Sequence, residues 1–256
     1  MDLSRQVSEI KGNQVSSSCI RRNLLRIGLR SYAARKTAFL TDAGRKKRLV
    51  WCKKYQNRSI EFWRNVLFTD ETLIELNPHS IINRVRRFSI ENPYQMKYIS
   101  PKIKHPLKIM FWAGISGQSK TNIIACNGIM NSERYISDVL DKEVTPLIRE
   151  KPNLIFQQDN APCHTSKKVK QYFLTKRYSK IDWPPNSPDL NIIENVWRIL
   201  KIQLNRTQIR NRIQLIQAVE KIWEDKILEE LIEGLVQSIN VRIQKCIKNK
   251  GDPSGY

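Results

Sequence analysis

Apolar and polar positions follow two different rhythms along the chain, and the change between them falls near Trp63. Before this point, apolar residues recur at the spacing of amphipathic helices. Two such sets are Leu3, Val7 and Ile10, and Ile20, Leu24 and Ile27. Beyond it, short apolar runs typical of strands alternate with longer segments of helical period. The pattern predicts a helical N-terminal region followed by an α/β domain.

The predicted elements define three regions. We expect strands at 65–70, 72–76, 107–116, 121–126, 154–158 and 179–182. We expect helices at 132–149, 165–175, 189–205 and 211–250, the last broken near Gly234. Hairpin-like strands come first and β-α-β units later, which favours a mixed central sheet with flanking helices. The regions are a partial all-α helix-turn-helix at 1–44, a basic helical linker at 45–62 and an α/β domain at 63–256.

The N-terminal region has the outline of a helix-turn-helix. Serines around Ser17 are suited to cap a helix that stops at Gly28. Arg21, Arg22 and Arg26 lie mostly opposite the apolar stripe of this helix, where they can meet phosphates or base edges. Ser17 and the three arginines are candidate DNA contacts. Because short basic helices are common, a plain solvated helix is the alternative.

The net charge of the chain also favours binding to nucleic acid. The chain carries a net charge of +21 and a pI of about 10.0, and residues 1–60 hold 15 basic against three acidic side chains. Such an excess is typical of nucleic-acid binders, although a solvated basic surface or an AT-rich genome also produces it. The cluster of four basic residues is Arg45, Lys46, Lys47 and Arg48. It reads as a nuclear import signal, a DNA-contacting arm or a solvated helix face, and these readings are not exclusive.

Cysteine usage and hydropathy limit the cellular compartments in which we expect the protein. Five scattered cysteines without a Cys-x-x-Cys pair argue for a reducing compartment and against a zinc site or a disulfide scaffold. No apolar run reaches membrane-spanning length, and the N-terminus lacks a signal-peptide core. We therefore expect a soluble intracellular protein that has no membrane partner.

Three carboxylates stand in settings that suit phosphoryl chemistry. Asp70 and Asp159 each end an apolar, strand-like run, and Glu194 follows Asp159 after 34 intervening residues. Hard cations such as Mg²⁺ take oxygen ligands, and two-metal sites need carboxylates that converge from different elements. The alternative is structural, because an aspartate at a strand end often caps a turn. Glu71 should point to the opposite face of the strand from Asp70.

Nearby residues are assigned structural roles. Asp189 is expected to be an N-cap for the helix that presents Glu194. His164 could contact substrate, but alone it reads as a loop histidine. Trp183 and Trp197 are expected to be core residues and not base-stacking platforms.

Three segments carry a family resemblance: Val66–Thr72, Gln157–Ser166 and Trp183–Trp197. They resemble the signature blocks of DDE transposases of the Tc/mariner superfamily, and the 34-residue interval ending in Glu resembles its Tc branch. Lys104–Trp112 and Val236–Tyr256 are also similar to the family, so the resemblance covers essentially the whole chain. It implies an RNase H-like catalytic domain in which Asp70, Asp159 and Glu194 form the catalytic, metal-binding triad.

The resemblance also implies an activity and its partners. Two Mg²⁺ ions, for which Mn²⁺ can substitute, would support phosphodiester hydrolysis at each transposon end. The freed 3′-hydroxyl would then attack a TA target. The implied partners are double-stranded DNA, as inverted repeats and as target, and a second copy of the chain in a homodimer. The implied compartment is the nucleus.

One departure leaves alternatives open. Relatives usually carry two helix-turn-helix units, whereas residues 2–29 resemble only the last two helices of the second. We therefore expect an N-terminally truncated transposase whose recognition of inverted repeats is in doubt. A catalytically inactive or repurposed DNA-binding protein is the first alternative. Another RNase H-like enzyme, such as a retroviral integrase or a ribonuclease, is the second, but three scattered histidines cannot build an integrase zinc domain.

Overall fold

The computed structural model describes residues 3–31, 40–76, 107–126, 128–204 and 211–256, together with 88, 90–92, 94–95, 207 and 209. The chain divides into two compact units, Met1–Ala38 and Phe39–Tyr256. Among the described helices, none is both long enough and apolar enough to cross a membrane.

The described residues of the first unit form helices α1 (Leu3–Lys11) and α2 (Ser17–Arg26). Ser16 caps α2, because its side chain accepts a hydrogen bond from the amide of Cys19. The helix ends before Gly28, whose φ of 82° suits glycine. The helix, turn and basic helix predicted for this region are therefore present.

A mixed sheet forms the centre of the second unit. Its strands are β1 (Val66–Leu76), β2 (Leu107–Ser116), β3 (Ser119–Lys120), β4 (Ile124–Cys126) and β5 (Ile155–Gln157). The order is β3-β2-β1-β5, and β4 also pairs with β2. β1 runs antiparallel to β2 and parallel to β5. The two strands predicted at 65–70 and 72–76 are one continuous strand, and residues 179–182 contribute only a bridge from Lys180 to Phe156.

Helices surround this sheet. They are α3 (Asp42–Tyr55), α4 (Ile60–Arg64), α5 (Ser132–Arg134), α6 (Thr145–Glu150), α7 (Pro162–Thr165), α8 (Lys167–Lys176), α9 (Ile193–Leu204), α10 (Arg212–Lys226) and α11 (Glu229–Lys248). A π-helical segment, Tyr135–Val144, joins α5 to α6. The helix predicted at 132–149 is thus one helical run with a wider turn in its middle.

The side chains of β1 alternate between two apolar clusters. Val66 and Phe68 belong to a cluster shared with α3 and α9–α11. Leu67 belongs to a second cluster, on the other face, shared with the π-helical segment and α8. Both faces of the central strand are therefore covered, which fixes which face each following residue meets.

Two predictions about helices need correction. The long C-terminal helix breaks at Ile227 and Leu228, not near Gly234. A new helix start is favoured after Ile227, because Ile227 is buried and Glu229 and Glu230 lie in the first turn of α11. Gly234 is exposed, and a glycine inside a helix costs only about 1 kcal/mol, so the helix continues through it. The predicted linker at 45–62 is also not a separate region, because Trp51 and Tyr55 of α3 pack in the core of the second unit.

Candidate active site

Strand pairing brings two of the predicted carboxylates to one edge. Phe68 on β1 pairs with Gln157 on the parallel strand β5. Asp70 and Asp159 each lie two residues further along the chain from this pair. Since parallel strands run in the same direction, both carboxylates lie at the same end of the sheet.

Helix α9 supplies the third carboxylate. Glu194 lies in its first turn. The loop before α9 is tied to β1 by Asn191, whose side-chain amide donates to the carbonyl of Thr69 over 3.1 Å. One turn after Glu194, the indole N–H of Trp197 donates to Oδ2 of Asp70 over 3.3 Å. These two contacts, on either side of Glu194, place it beside Asp70.

Asp70 and Glu194 repel each other. Burial, followed by the charges of Glu194 and Glu71, raises the pKa of Asp70 to about 8. Glu194 is exposed as a residue, but desolvation at its carboxyl group raises its pKa, against the influence of Lys201 and Asp70. Neither carboxylate forms an ion pair within the described residues. The pair thus retains a proton near neutral pH, where two isolated carboxyl groups would both be charged.

Asp159 is neutralised instead. Its Oδ1 lies 2.6 Å from Nδ1 of His164 and accepts the amide N–H of Ala161 over 2.9 Å. The other ring nitrogen of His164 lies 3.2 Å from Oε1 of Glu71, without the alignment of a good hydrogen bond. His164 is 3% exposed. It therefore connects Asp159 to Glu71, on the sheet face opposite Asp70.

The pKa values on this face follow from that connection. Burial lowers the pKa of His164, but the hydrogen bond with Asp159 and the charges of Asp159 and Glu71 outweigh it and raise the value to about 9. Burial raises the pKa of Asp159, but the hydrogen bonds from His164 and Ala161 outweigh it and lower the value. A pKa of about 9 favours the protonated, imidazolium form of His164 at neutral pH, between Asp159 and Glu71. In the part of the chain that the structure describes, no three His, Cys, Asp or Glu residues form a ready-made metal cage.

Polar residues next to the site hold the connection in place. The hydroxyl of Tyr135 donates to Gln158, whose amide donates in turn to the backbone carbonyl of His164. The ring of Tyr135 lies 4.2 Å from that of His164. The π-helical segment that carries Tyr135 therefore supports the bridge.

Asp189 has a structural role, but not the predicted one. It forms a two-pronged ion pair with Arg48, at 2.8 Å from each oxygen, and accepts the amide N–H of Ser254. Its carbonyl accepts from Arg242, which also donates to Asn195, the residue after Glu194. Helix α9 begins only at Ile193, so Asp189 anchors the preceding loop and does not cap the helix.

Arg48 is therefore not the DNA contact that the sequence predicted. It is 0% exposed, and besides Asp189 it donates to the carbonyls of Asn186 and Gly251. A Cβ at position 251 would collide with the carbonyl oxygen of Arg45, so a glycine is needed at this close approach.

The remaining predicted DNA contacts lie on surfaces. Those of the first unit, all exposed, are Ser17, Arg21, Arg22 and Arg26. On α3, Lys46 and Lys47 are exposed, and Arg45 is half-buried beside Asp42 and Asp252. Their role in DNA binding stays a prediction.

Two participants escaped sequence reasoning. His164 looked like a loop residue, and Glu71 was set aside because it faces away from Asp70. The available signal was spacing, since His164 follows Asp159 by five residues in a short helix begun by Pro162. Trp197 was correctly predicted as a core residue, but its hydrogen bond to Asp70 was not foreseen.

Comparison with known proteins identifies the family. A family model described as DDE superfamily endonuclease matches residues 65–216, and one described as transposase, of the Tc3 helix-turn-helix type, matches residues 1–57. The Tcb1 transposase of Caenorhabditis briggsae is 31% identical over 245 residues, covering 94% of this chain and 88% of that protein. The Tcb2 transposase of the same species is 29% identical over 249 residues, covering 95% and 90%.

Solved structures agree on the fold. The Mos1 transposase paired-end complex with left transposon end superposes with a TM-score of 0.78 at 19% identity, covering 99% of this chain and 75% of that one. The catalytic domain of Mos1 mariner transposase gives 0.64 at 18% identity, covering 85% and 98%. At these identities the likeness shows the fold, which is RNase H-like in the second unit. With the family models and curated relatives, it follows that the chain belongs to the Tc/mariner superfamily of DDE transposases.

Proposed function

We propose that the chain cleaves DNA phosphodiester bonds at the ends of a transposable element and joins the freed ends to target DNA, with divalent metal ions. The observation that carries this proposal is the meeting of Asp70 and Glu194, whose charges oppose each other at one end of the sheet. A divalent cation relieves such repulsion, because it favours the charged form of both groups.

The proposed ligands are Asp70, Asp159 and Glu194. All three offer oxygen atoms, the donors that hard cations take. Asp159 uses Oδ1 for both of its hydrogen bonds, and within the described residues Oδ2 accepts none. When bound, two such ions activate the attacking hydroxyl and stabilise charge on the phosphate. We propose Mg²⁺ as the working ion with Mn²⁺ as a substitute, supported by Mos1 complexes described with Mg and with Mn.

The chain's own residues position these ligands. Trp197 donates to Asp70 and packs against Trp223, with ring centroids 6.0 Å apart, so that the inner side of Asp70 is shielded from water. His164 orients Asp159 from the opposite face. This division fixes Oδ2 of Asp70 from one face of the sheet and Oδ1 of Asp159 from the other.

DNA partners follow from the family and the charge. We propose that α2 contacts transposon ends through Arg21, Arg22 and Arg26, and that TA sites are the targets. Mos1 paired-end complexes support a homodimer as the working assembly. We propose the nucleus as the compartment, since the relatives are Caenorhabditis elements and Lys46 and Lys47 are exposed in the basic cluster.

Cleavage of a labelled DNA duplex by the purified chain tests the proposal. With Mg²⁺ or Mn²⁺, Asp70→Ala, Asp159→Ala and Glu194→Ala should abolish nicking and leave DNA affinity nearly unchanged. Glu75→Gln is the matched control, because Glu75 is an exposed carboxylate on the same strand and pairs only with Lys108 among the described residues.

The outcomes separate the candidate functions. Cleavage by a triad variant at the wild-type rate would show that the site is misassigned. A wild-type chain that binds DNA with strong salt dependence but never cuts would favour a repurposed DNA-binding protein.

A further inference from the structure

A long stretch after Asp159 carries positive charge only. From Asn160 to Ile181 the chain has no acidic residue. Its basic side chains, apart from His164, are Lys167, Lys168, Lys170, Lys176, Arg177 and Lys180. All six lie on α8 or within four residues of its end, so the charge is concentrated on one element beside the candidate active site.

Four of these residues share one side of the element. Val169 is fully buried and sets the inner face of α8. Lys167 and Lys170 lie three positions apart on α8, away from that face, and Arg177 follows at the left-handed C-terminal cap of the helix. All three are exposed. Lys180 returns beside them, on the segment that bridges to β5. We call Lys167, Lys170, Arg177 and Lys180 the α8 basic face.

Within the described residues, no acidic side chain neutralises the charges of this face. Lys168 pairs with Glu133, and Lys176 lies over the ring of Tyr172. The four residues of the face form no ion pair within the part of the chain that the structure describes. Lys180 is held over the ring of Phe173, 5.4 Å from its centroid. Desolvation, and then the charge of Lys170, lowers the pKa of Lys180, so two ammonium groups are held close together at a cost.

The position of the face points to its partner. Lys167 follows His164 by three residues, and His164 contacts Asp159. From there α8 extends over 10 residues, or about 15 Å at 1.5 Å per residue. One DNA strand presents a phosphate about every 3.4 Å of helix axis, so this length matches roughly four phosphates. A duplex with one phosphate at the site brings its neighbours within reach of the face.

We infer that the α8 basic face binds the sugar–phosphate backbone of duplex DNA next to the phosphate being cut, independently of base sequence. This inference rests on the proposed function, because it takes DNA as the substrate of the adjacent site. Lysine and arginine contacts to phosphates fix the register of a duplex and carry no sequence information. The face would therefore hold DNA of any sequence in line with Asp159.

Salt dependence of DNA binding by the full chain tests this inference. The variant is Lys167→Gln/Lys170→Gln/Lys180→Gln, and the probe is a labelled duplex of arbitrary sequence. Each lost phosphate contact lowers the slope of log K against log salt by about 0.9, so the slope should fall by roughly 2.7. The control Lys221→Gln/Lys226→Gln/Lys248→Gln removes the same charge from exposed positions of α10 and α11 and should keep the wild-type slope.

Further variants sharpen the test. A triple Lys→Arg variant of the face should retain the wild-type slope, since it keeps the charges. An unchanged slope in the Gln variant would overturn the inference, and so would an equal fall in the control, because net charge alone would then explain it. Circular dichroism checks folding of each variant. Binding is measured without cleavage, so a chain that never cuts would refute the proposed function, while the salt slopes would still show whether the face binds DNA.

Discussion

The two faces of β1 treat their acidic residues in opposite ways. On one face, Asp70 meets Glu194 among buried tryptophans, and the charges of the two groups oppose each other. On the other, Glu71 and Asp159 share the imidazolium of His164. On the first face, no cationic side chain among the described residues pairs with Asp70 or Glu194. On the second, His164 already pairs with the carboxylates and leaves Oδ2 of Asp159 open to a further ligand. Strand β1 thus carries a candidate metal ligand, Asp70, on one face and, on the other, Glu71, which belongs to the cluster that holds Asp159.

The scaffold behind the two faces differs as well. The Glu194 side depends on a buried ion pair far along the chain, Arg48 with Asp189, which fixes the loop leading into α9. The Asp159 side depends on local contacts, because His164 lies only five residues away. The effects of mutation should therefore differ in size between the two faces.

The largest effect is expected from breaking the anchor of the Glu194 side. Asp189→Asn leaves the buried guanidinium of Arg48 without its charge partner, which costs about 3–5 kcal/mol of unfolding free energy. Urea unfolding followed by tryptophan fluorescence measures it. Glu133→Gln is the control, since it removes only an exposed pair with Lys168, which solvent screens. Equal losses in both variants would contradict the anchoring role of Asp189.

The ion pair between Arg48 and Asp189 could be predicted only in part from the sequence. Arg48 looked like one member of a basic surface cluster. However, it shares i, i+3 and i+7 spacing with Trp51 and Tyr55, so helical periodicity alone places it on the buried face of α3. The sequence thus held the signal for burial. It could not supply the partner, because the contact between Arg48 and Asp189 spans 141 positions.

In the candidate active site, too, local features could be predicted from the sequence and long-range contacts could not. Strand alternation correctly placed Asp70 and Glu71 on opposite faces, because that depends only on local backbone geometry. The role of His164 was out of reach, since it depends on where a short helix returns relative to the sheet. The break at Ile227 was missed because a glycine is a strong local signal, while burial of Ile227 is a tertiary effect.

An intermediate effect is expected on the balanced face. His164→Asn removes the cation shared by Glu71 and Asp159. The buried Oε1 of Glu71 then loses its neighbouring charge at a cost of about 1–3 kcal/mol, whereas the half-exposed Asp159 is rehydrated. The pKa of Asp159 should rise, because burial then acts without the hydrogen bond from His164. Urea unfolding gives the first quantity, and carboxyl NMR titration gives the second. Cys163→Ser, one residue away on the same helix, should change neither, and an unmoved pKa of Asp159 in His164→Asn would contradict the bridging role of His164.

The smallest change in stability is expected for each unit of pH, and it distinguishes the two faces of β1. His164 has a folded pKa of about 9 against an ordinary 6.5, so its contribution is complete below pH 6.5 and is lost as pH rises through 9. Asp70 has a folded pKa of about 8 against 3.8, so its contribution is complete below pH 3.8 and is lost as pH rises through 8. Between pH 6.5 and 8, each group should lower metal-free stability by at most about 1.4 kcal/mol per pH unit.

Mg²⁺ and one substitution separate the two contributions. Saturating Mg²⁺ should remove the Asp70 part, because the cation favours the charged carboxylate and displaces its proton, while the His164 part persists up to pH 9. Without metal, Asp70→Asn should remove the contribution of Asp70 to the pH dependence of stability, since asparagine does not titrate and still accepts the hydrogen bond from Trp197. Thermal unfolding across pH 6 to 9 measures both. If Mg²⁺ changes the pH profile of Asp70→Asn as much as that of the wild type, the cation does not act through the Asp70 face, and the contrast between the two faces fails.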